Sequence, residues 1–168
     1  IVVFTDKNTQ VDHDIKFEIN RPGEYELSQV SISGIPARLQ IDEKGKHNGV
    51  IYKILVGDIR IVVVGHIYPE LGEKQLEEIG VIDILVIPVG GQGYSLDAHG
   101  VQQLVKDIDP KVVIPTNYAD QDINYPVEVS SLTQLFRELS IEPKETLPKL
   151  KIKNMDVFSE KPNYIVLE

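Results

Sequence analysis

The spacing of apolar and polar positions changes rhythm partway along the chain. In the first part, short apolar segments alternate with polar positions and turns, the period-two signature of half-buried strands. Ile1-Val2-Val3-Phe4 empties into the polar stretch Thr5 to His13, and Phe17-Glu18-Ile19 runs into a Pro22-Gly23 turn. Alternation holds from Tyr25 to Leu27 and from Val30 to Ile32, which reads as one half-buried strand or a bent pair, and Ala37 to Ile41 continues in the same style. Polar Asp42 to Gly49 predicts a hairpin loop between strands, and Val50 to Val56, the Gly57-Asp58 turn and Ile59 to Val64 predict a second hairpin. This order is an antiparallel meander.

From Glu73 onward the pattern alternates strands with helices. Glu73 to Ile79 predicts a short helix ending at Gly80, and Ile82 to Pro88 is nearly all apolar, as in a strand covered on both faces. A glycine loop, Gly90-Gly91-Gln92-Gly93, precedes Asp97, which is placed to N-cap the next helix. Val101, Leu104, Val105 and Ile108 give that helix one core face, and Asp109-Pro110 stops it. Lys111 to Pro115 predicts another buried strand, and Ser131 to Leu139 a third helix with Leu132, Leu135, Phe136 and Leu139 on one stripe. Leu150 to Lys153 and Tyr164 to Leu167 predict two closing strands, the stretch Lys144 to Lys153 reading as a lysine-protected edge. A meander followed by strand–helix alternation predicts an α/β (α+β) fold in one domain over residues 1–168, with sheets face to face and helices outside.

Composition narrows the function. Apolar residues make up 42% of 168, which excludes a disordered chain. No apolar run approaches the ~18 residues of a membrane span, and IVVFTDK has no basic region ahead of an apolar one, so it is not a signal peptide. The chain opens in mid-strand without Met, so upstream residues are expected. A net charge of −9 argues against nucleic-acid partners. The absence of cysteine removes disulfides, thiolate nucleophiles and cysteine-based zinc sites, and fits a cytoplasmic location.

Six fragments, in order, carry a resemblance: PGEYEL (22–27), ISGIPA (32–37), GDIRIVVVGH (57–66), LGEKQLEEIGVIDILVIPVGG (71–91), DAHGVQQLVKDIDPKVVIPTNY (97–118) and the closing YIVLE. Together they resemble the metallo-β-lactamase fold, more narrowly the bacterial branch of zinc-dependent hydrolases similar to ascorbate-6-phosphate lactonases. The resemblance implies an αββα sandwich with two metal ions at the sheet edges, held by histidines and aspartates on loops after strands. It also implies opening strands with no counterpart in this sequence, leaving a sheet edge to be covered from upstream, by a second copy or by a partner.

The implied ligand set departs from the family pattern. Aligned without gaps, the first motif falls on Asp6, Asn8, Gln10 and Val11; a slipped alignment recovers only Asp12-His13. The next histidine position falls near Leu39 or Gln40, the bridging aspartate on His66 and the last histidine on Asn117. Carboxamides bind transition metals poorly, so degenerate positions and no bound metal are expected, with zinc or another divalent ion as the alternative.

Asp12, His13, His66, Asn117 and Tyr118, with Asp120 beside them, are the candidate pocket residues, and no catalytic residue is assigned. His66, after Gly65 at a strand end, is either a base or a hydrogen-bonded loop histidine. His47 and His99 are expected to be solvated. The glycine loop lacks a following Lys-Ser/Thr, and Ser95 lacks a G-x-S-x-G elbow, so both read as structural. The preferred reading is a non-catalytic domain used for binding, assembly or scaffolding, with no nucleic-acid or membrane partner. Its rivals are a hydrolase with a remodelled, mononuclear site, and one part of a split or oligomeric enzyme.

Overall fold

Side chains alternate across a strand, so a chain whose strands are apolar on both sides must cover two sheet faces. The computed structural model describes residues 1–6, 14–120, 123–125, 127–143, 145–152, 158 and 162–167. Its elements in chain order are β1 (Val2–Val3), β2 (Glu18–Ile19), β3 (Gly23–Leu27), β4 (Val30–Ala37), β5 (Gly49–Val56), β6 (Ile59–Val63), α1 (Glu73–Ile79), β7 (Ile84–Pro88), α2 (Ala98–Ile108), β8 (Val112–Thr116), α3 (Leu132–Leu139), β9 (Glu145–Leu147) and β10 (Asn163–Leu167). Eight strands form one mixed sheet in the order β3-β4-β5-β6-β7-β8-β10-β9. Pairing is antiparallel from β3 to β6 and parallel from β6 to β9. β1 and β2 form a separate parallel pair. No helix among the described residues is long and apolar enough to cross a membrane.

The Tyr25–Ile35 alternation is a hairpin. Ser28 and Gln29 both take positive φ, 51° and 65°, as a two-residue turn matched to strand twist requires. One face of the large sheet carries Ile35, Ile51, Val62, Leu85 and Val113, which pack against the core stripe of α2 and against Leu135 and Phe136 of α3. The opposite face is covered at one end by β1 and β2, through Ile19 and Val3 against Ile32, Val50 and Tyr52. Tyr52 is fully buried, and its hydroxyl lies 3.1 Å from the carbonyl oxygens of both Phe4 and Ile19. Burial pushes its phenol up to about 12, so it stays a neutral donor.

At the other end of that face, Ile84, Val112 and Ile165 are covered by Leu147, Leu150, Ile152 and Phe158. Here the structure corrects the sequence reading. The edge strand is β9, paired with β10, and residues 150–152 are irregular. Pro148 has no N–H to offer a ladder, so pairing ends just before it. Lys144 and Lys153 lie outside the described residues.

The start of the parallel half is pinned by a buried carboxylate. Asp83, 1% exposed, accepts from the Arg60 guanidinium at 2.8 and 3.0 Å and from the Arg60 backbone N–H at 3.0 Å. Lys111 lies 3.3 Å away. The Asp83 carbonyl accepts from the N–H groups of Lys111 and Val112. One residue thus ties the starts of β6, β7 and β8. The hydrogen bonds from Arg60 hold the Asp83 carboxyl down at about 2. Because this value lies below that of the unfolded chain, the ionised form stabilises the fold above about pH 4, and that contribution fades as pH falls toward 2. Urea titrations should show on the order of 2 kcal/mol lost between about pH 5 and 2, with a shallower slope for Asp83→Asn. At neutral pH, Asp83→Ala should cost about 3 kcal/mol, because it strands two cations.

Candidate functional site

Open sheets collect functional residues beyond the carboxyl ends of parallel strands. β6, β7 and β8 end together at one edge. The end of β4 joins them, since it pairs with the start of β5. The exit of β1 reaches the same place: Asp6 bridges Gly49, and the Val50 N–H donates to the Thr5 carbonyl at 2.8 Å. Asp6, Gln40, His66, the Gly90–Ser95 loop and Asn117 therefore share one rim.

Gly65 makes the arrangement possible. It sits at φ 61°, and a Cβ there would stand 2.4 Å from the Thr5 Cβ. Only glycine lets the β1 exit press on the end of β6. His66 follows, its carbonyl accepting from the Gln40 N–H at 3.1 Å. Its ring lies 4.3 Å from the Tyr94 ring, centroid to centroid, and its Nδ1 is 3.4 Å from the Ser95 Oγ. Burial pushes the imidazole below its usual value, while a hydrogen bond to the Tyr94 carbonyl and the charge of Asp6 pull the other way. His66 is therefore a neutral, hydrogen-bonded ring at pH 7, held between the exit of β1 and the loop after β7.

Asn117 closes β8 in the left-handed region at φ 54°, and a Cβ on Gly90 would meet its carbonyl oxygen at 2.3 Å. The Val89 N–H donates to the Thr116 carbonyl and the Ser130 N–H to the Gly90 carbonyl, which locks this corner. With β7 between them, the strand ends at His66 and Asn117 are two spacings apart, roughly 10 Å. The Tyr118 hydroxyl donates to the Leu167 carbonyl at 3.2 Å, securing β10. His47 and His99 are exposed. Asn8, Gln10, Val11, Asp12 and His13 lie outside the described residues.

Sequence reasoning passed over Tyr94 and Tyr68 and read Ser95 as structural. Tyr68 carries the Arg38 guanidinium 4.1 Å above its ring. Their signal was faint, namely aromatic residues just past a strand-ending histidine and beside a glycine loop. Beside the rim lies a cleft of about 330 Å³, lined by residues that include Gln40, Tyr68, Gln92, Ser95, Asp97 and His99.

A dinuclear zinc centre needs several imidazole and carboxylate donors around a bridging hydroxide. Among the described residues, no group of three or more His, Asp or Glu side chains is placed to hold a metal ion. Among the described residues, the rim offers the His66 imidazole facing a serine, the Asp6 carboxylate and the carboxamides of Gln40 and Asn117. That donor set does not fit the centre.

The fold is that of the metallo-β-lactamase superfamily. Residues 4–117 match the family model of the β-lactamase superfamily domain, and the chain belongs to that family. A protein from Thermotoga maritima, described as a candidate zinc-dependent hydrolase of the metallo-β-lactamase superfamily, superposes with a TM-score of 0.71 at 20% identity, over 98% of this chain and 79% of its own. A candidate metal-dependent hydrolase from Parabacteroides distasonis gives 0.53 at 18% identity, over 76% of this chain and 56% of its own. Igni18, a metallo hydrolase from Ignicoccus hospitalis, gives 0.50 at 17% identity, over 74% of this chain and 52% of its own. The chain thus spans about half the length of the last two. Among curated protein sequences none matches it.

Two outcomes test the rim. Gly65→Ala should cost roughly 2 kcal/mol or more in urea unfolding, from backbone strain and the clash with Thr5. His66 has a lower pKa folded than unfolded, so protonation favours the unfolded chain and stability falls as pH drops through about 6.5. His66→Gln should flatten the stability profile between about pH 7.5 and 5.5.

Proposed function

We propose that this chain is a metallo-β-lactamase-fold domain that binds a ligand at its strand-end rim without forming the family's dinuclear metal centre. The observation carrying this reading is the His66 ring, desolvated and set against Ser95 and Tyr94, at a position where the family resemblance puts a bridging metal ligand. The carboxamides of Gln40 and Asn117 support it, because they replace donors that would have to be ionised or imidazole. Assembly through a sheet edge is the less favoured form of the same reading. β3 is an edge strand, and Glu24 and Glu26 on it guard against like-to-like pairing.

The second reading is a hydrolase with one metal. It is supported by the structural neighbours described as metal-dependent hydrolases and by Asp6 lying within electrostatic reach of His66. Metal analysis separates the two. Protein purified without chelators should carry well under one equivalent of zinc, manganese or iron, and a chelator should leave its melting temperature unchanged. One equivalent of metal, lost in His66→Ala, would overturn the metal-free reading and favour the hydrolase.

A further inference from the structure

The cleft beside the rim is bounded by the segment after β4, the segment after β6 and the first turn of α2. We propose that it is a binding site for a neutral polyhydroxylated molecule of monosaccharide size. This inference rests on the metal-free reading, since a metal held at Gln40 and His66 would claim the same groups.

Size comes first. About 330 Å³ lies at the small end of ligand sites, which run from roughly 300 to 1,000 Å³. The chemistry of the wall comes next. Gln40 and Gln92 each present a carbonyl and an amide N–H₂, and Ser95 both donates and accepts. Asp97 gives one oxygen to the Gly100 N–H at 2.8 Å, and its carboxylate has acceptor capacity beyond that bond. Ser95 is 1% exposed and 3.4 Å from His66, so its hydroxyl is fixed before any ligand arrives. Vicinal hydroxyls, each donor and acceptor at once, match such a set. Pro69 and the Tyr68 ring supply the small apolar patch that the C–H face of a sugar ring needs.

The wall also says what is rejected. Among the described lining residues there is no Lys or Arg. The nearby Arg38 guanidinium is bonded to the Asp42 carbonyl at 3.1 Å and stacked on Tyr68. The N-terminus of α2, otherwise attractive to phosphate, is capped by the Asp97 carboxylate. An anionic ligand would therefore meet the Asp97 carboxylate, with the His99 imidazole and no Lys or Arg among the described lining residues. A nucleobase would need flat apolar walls on both faces, and polar side chains dominate here.

The test is heteronuclear NMR titration of the full chain with D-glucose, D-galactose, D-mannose and sorbitol, with glucose 6-phosphate and adenosine as controls. At least one neutral compound should saturate in the millimolar range, with shifts centred on Gln40, Gln92 and Ser95. Gln40→Ala and Ser95→Ala, once their spectra show a folded chain, should each weaken it by about fivefold or more. The proposal is overturned if none of the four neutral compounds saturates below about 100 mM, if glucose 6-phosphate or adenosine binds more tightly, or if both variants bind like the parent. Metal content is measured on the same sample. A stoichiometric metal overturns the metal-free reading whatever the sugars do, whereas a metal-free sample that ignores all four overturns the cleft assignment alone.

Discussion

A single close approach holds the functional edge together: the backbone at Gly65 against the side chain of Thr5. Nothing larger than a hydrogen atom fits between them. That contact brings the exit of β1 onto the end of β6, which sets Asp6 and His66 into each other's field and dries the space around the imidazole. The loop after β7 completes the enclosure, with Tyr94 tilted against the ring and Ser95 against its nitrogen. A second tight approach, Gly90 against the Asn117 carbonyl, fixes the neighbouring corner in the same manner. The rim is therefore shaped by missing side chains as much as by present ones.

The two ends of the parallel strands are electrostatic opposites. At their starts, Asp83 is buried, ionised and bonded to two cations and several backbone donors, an arrangement that only stabilises. At their ends, His66 is half-buried and uncharged at pH 7, and its partners are a hydroxyl, a carbonyl and an aromatic face. On the proposed reading, this half-buried imidazole serves hydrogen-bonded recognition.

Much of the scaffold was legible in the sequence because its signals are local. Gly80 and Asp109 end α1 and α2 where composition says they should, and Asp97 caps α2 as its position suggests, while Ser131, read as the first helical residue, is the cap of α3. The apolar stripe of α2 is its buried face. The edge strand was misplaced because apolar alternation at Leu150 and Ile152 also arises when irregular chain lies on an apolar sheet face, and the decisive Pro148 was given no weight. At the rim, His66 could be singled out from its place after a strand and a glycine. Its partners could not, since Tyr94 and Ser95 are nearly thirty positions away and meet it only through strand pairing. Tyr68 and Tyr94 carried only the faint signal of aromatic residues near a strand-ending histidine and a glycine loop.

The Tyr52 hydroxyl also bears on the order in which the rim is built. β1 and β2 are two residues long each, too short to persist as a pair by themselves. What secures them is a phenol 48 positions after Phe4 and 33 after Ile19, together with the Val50 N–H on Thr5. Contacts so distant along the chain form only once β5 is in place, because closing those loops is entropically costly until β5 supplies the partner surface. Residues 1–6 thus take their place only after β5 has formed, and the corner that sets Asp6 beside His66 is completed by their docking.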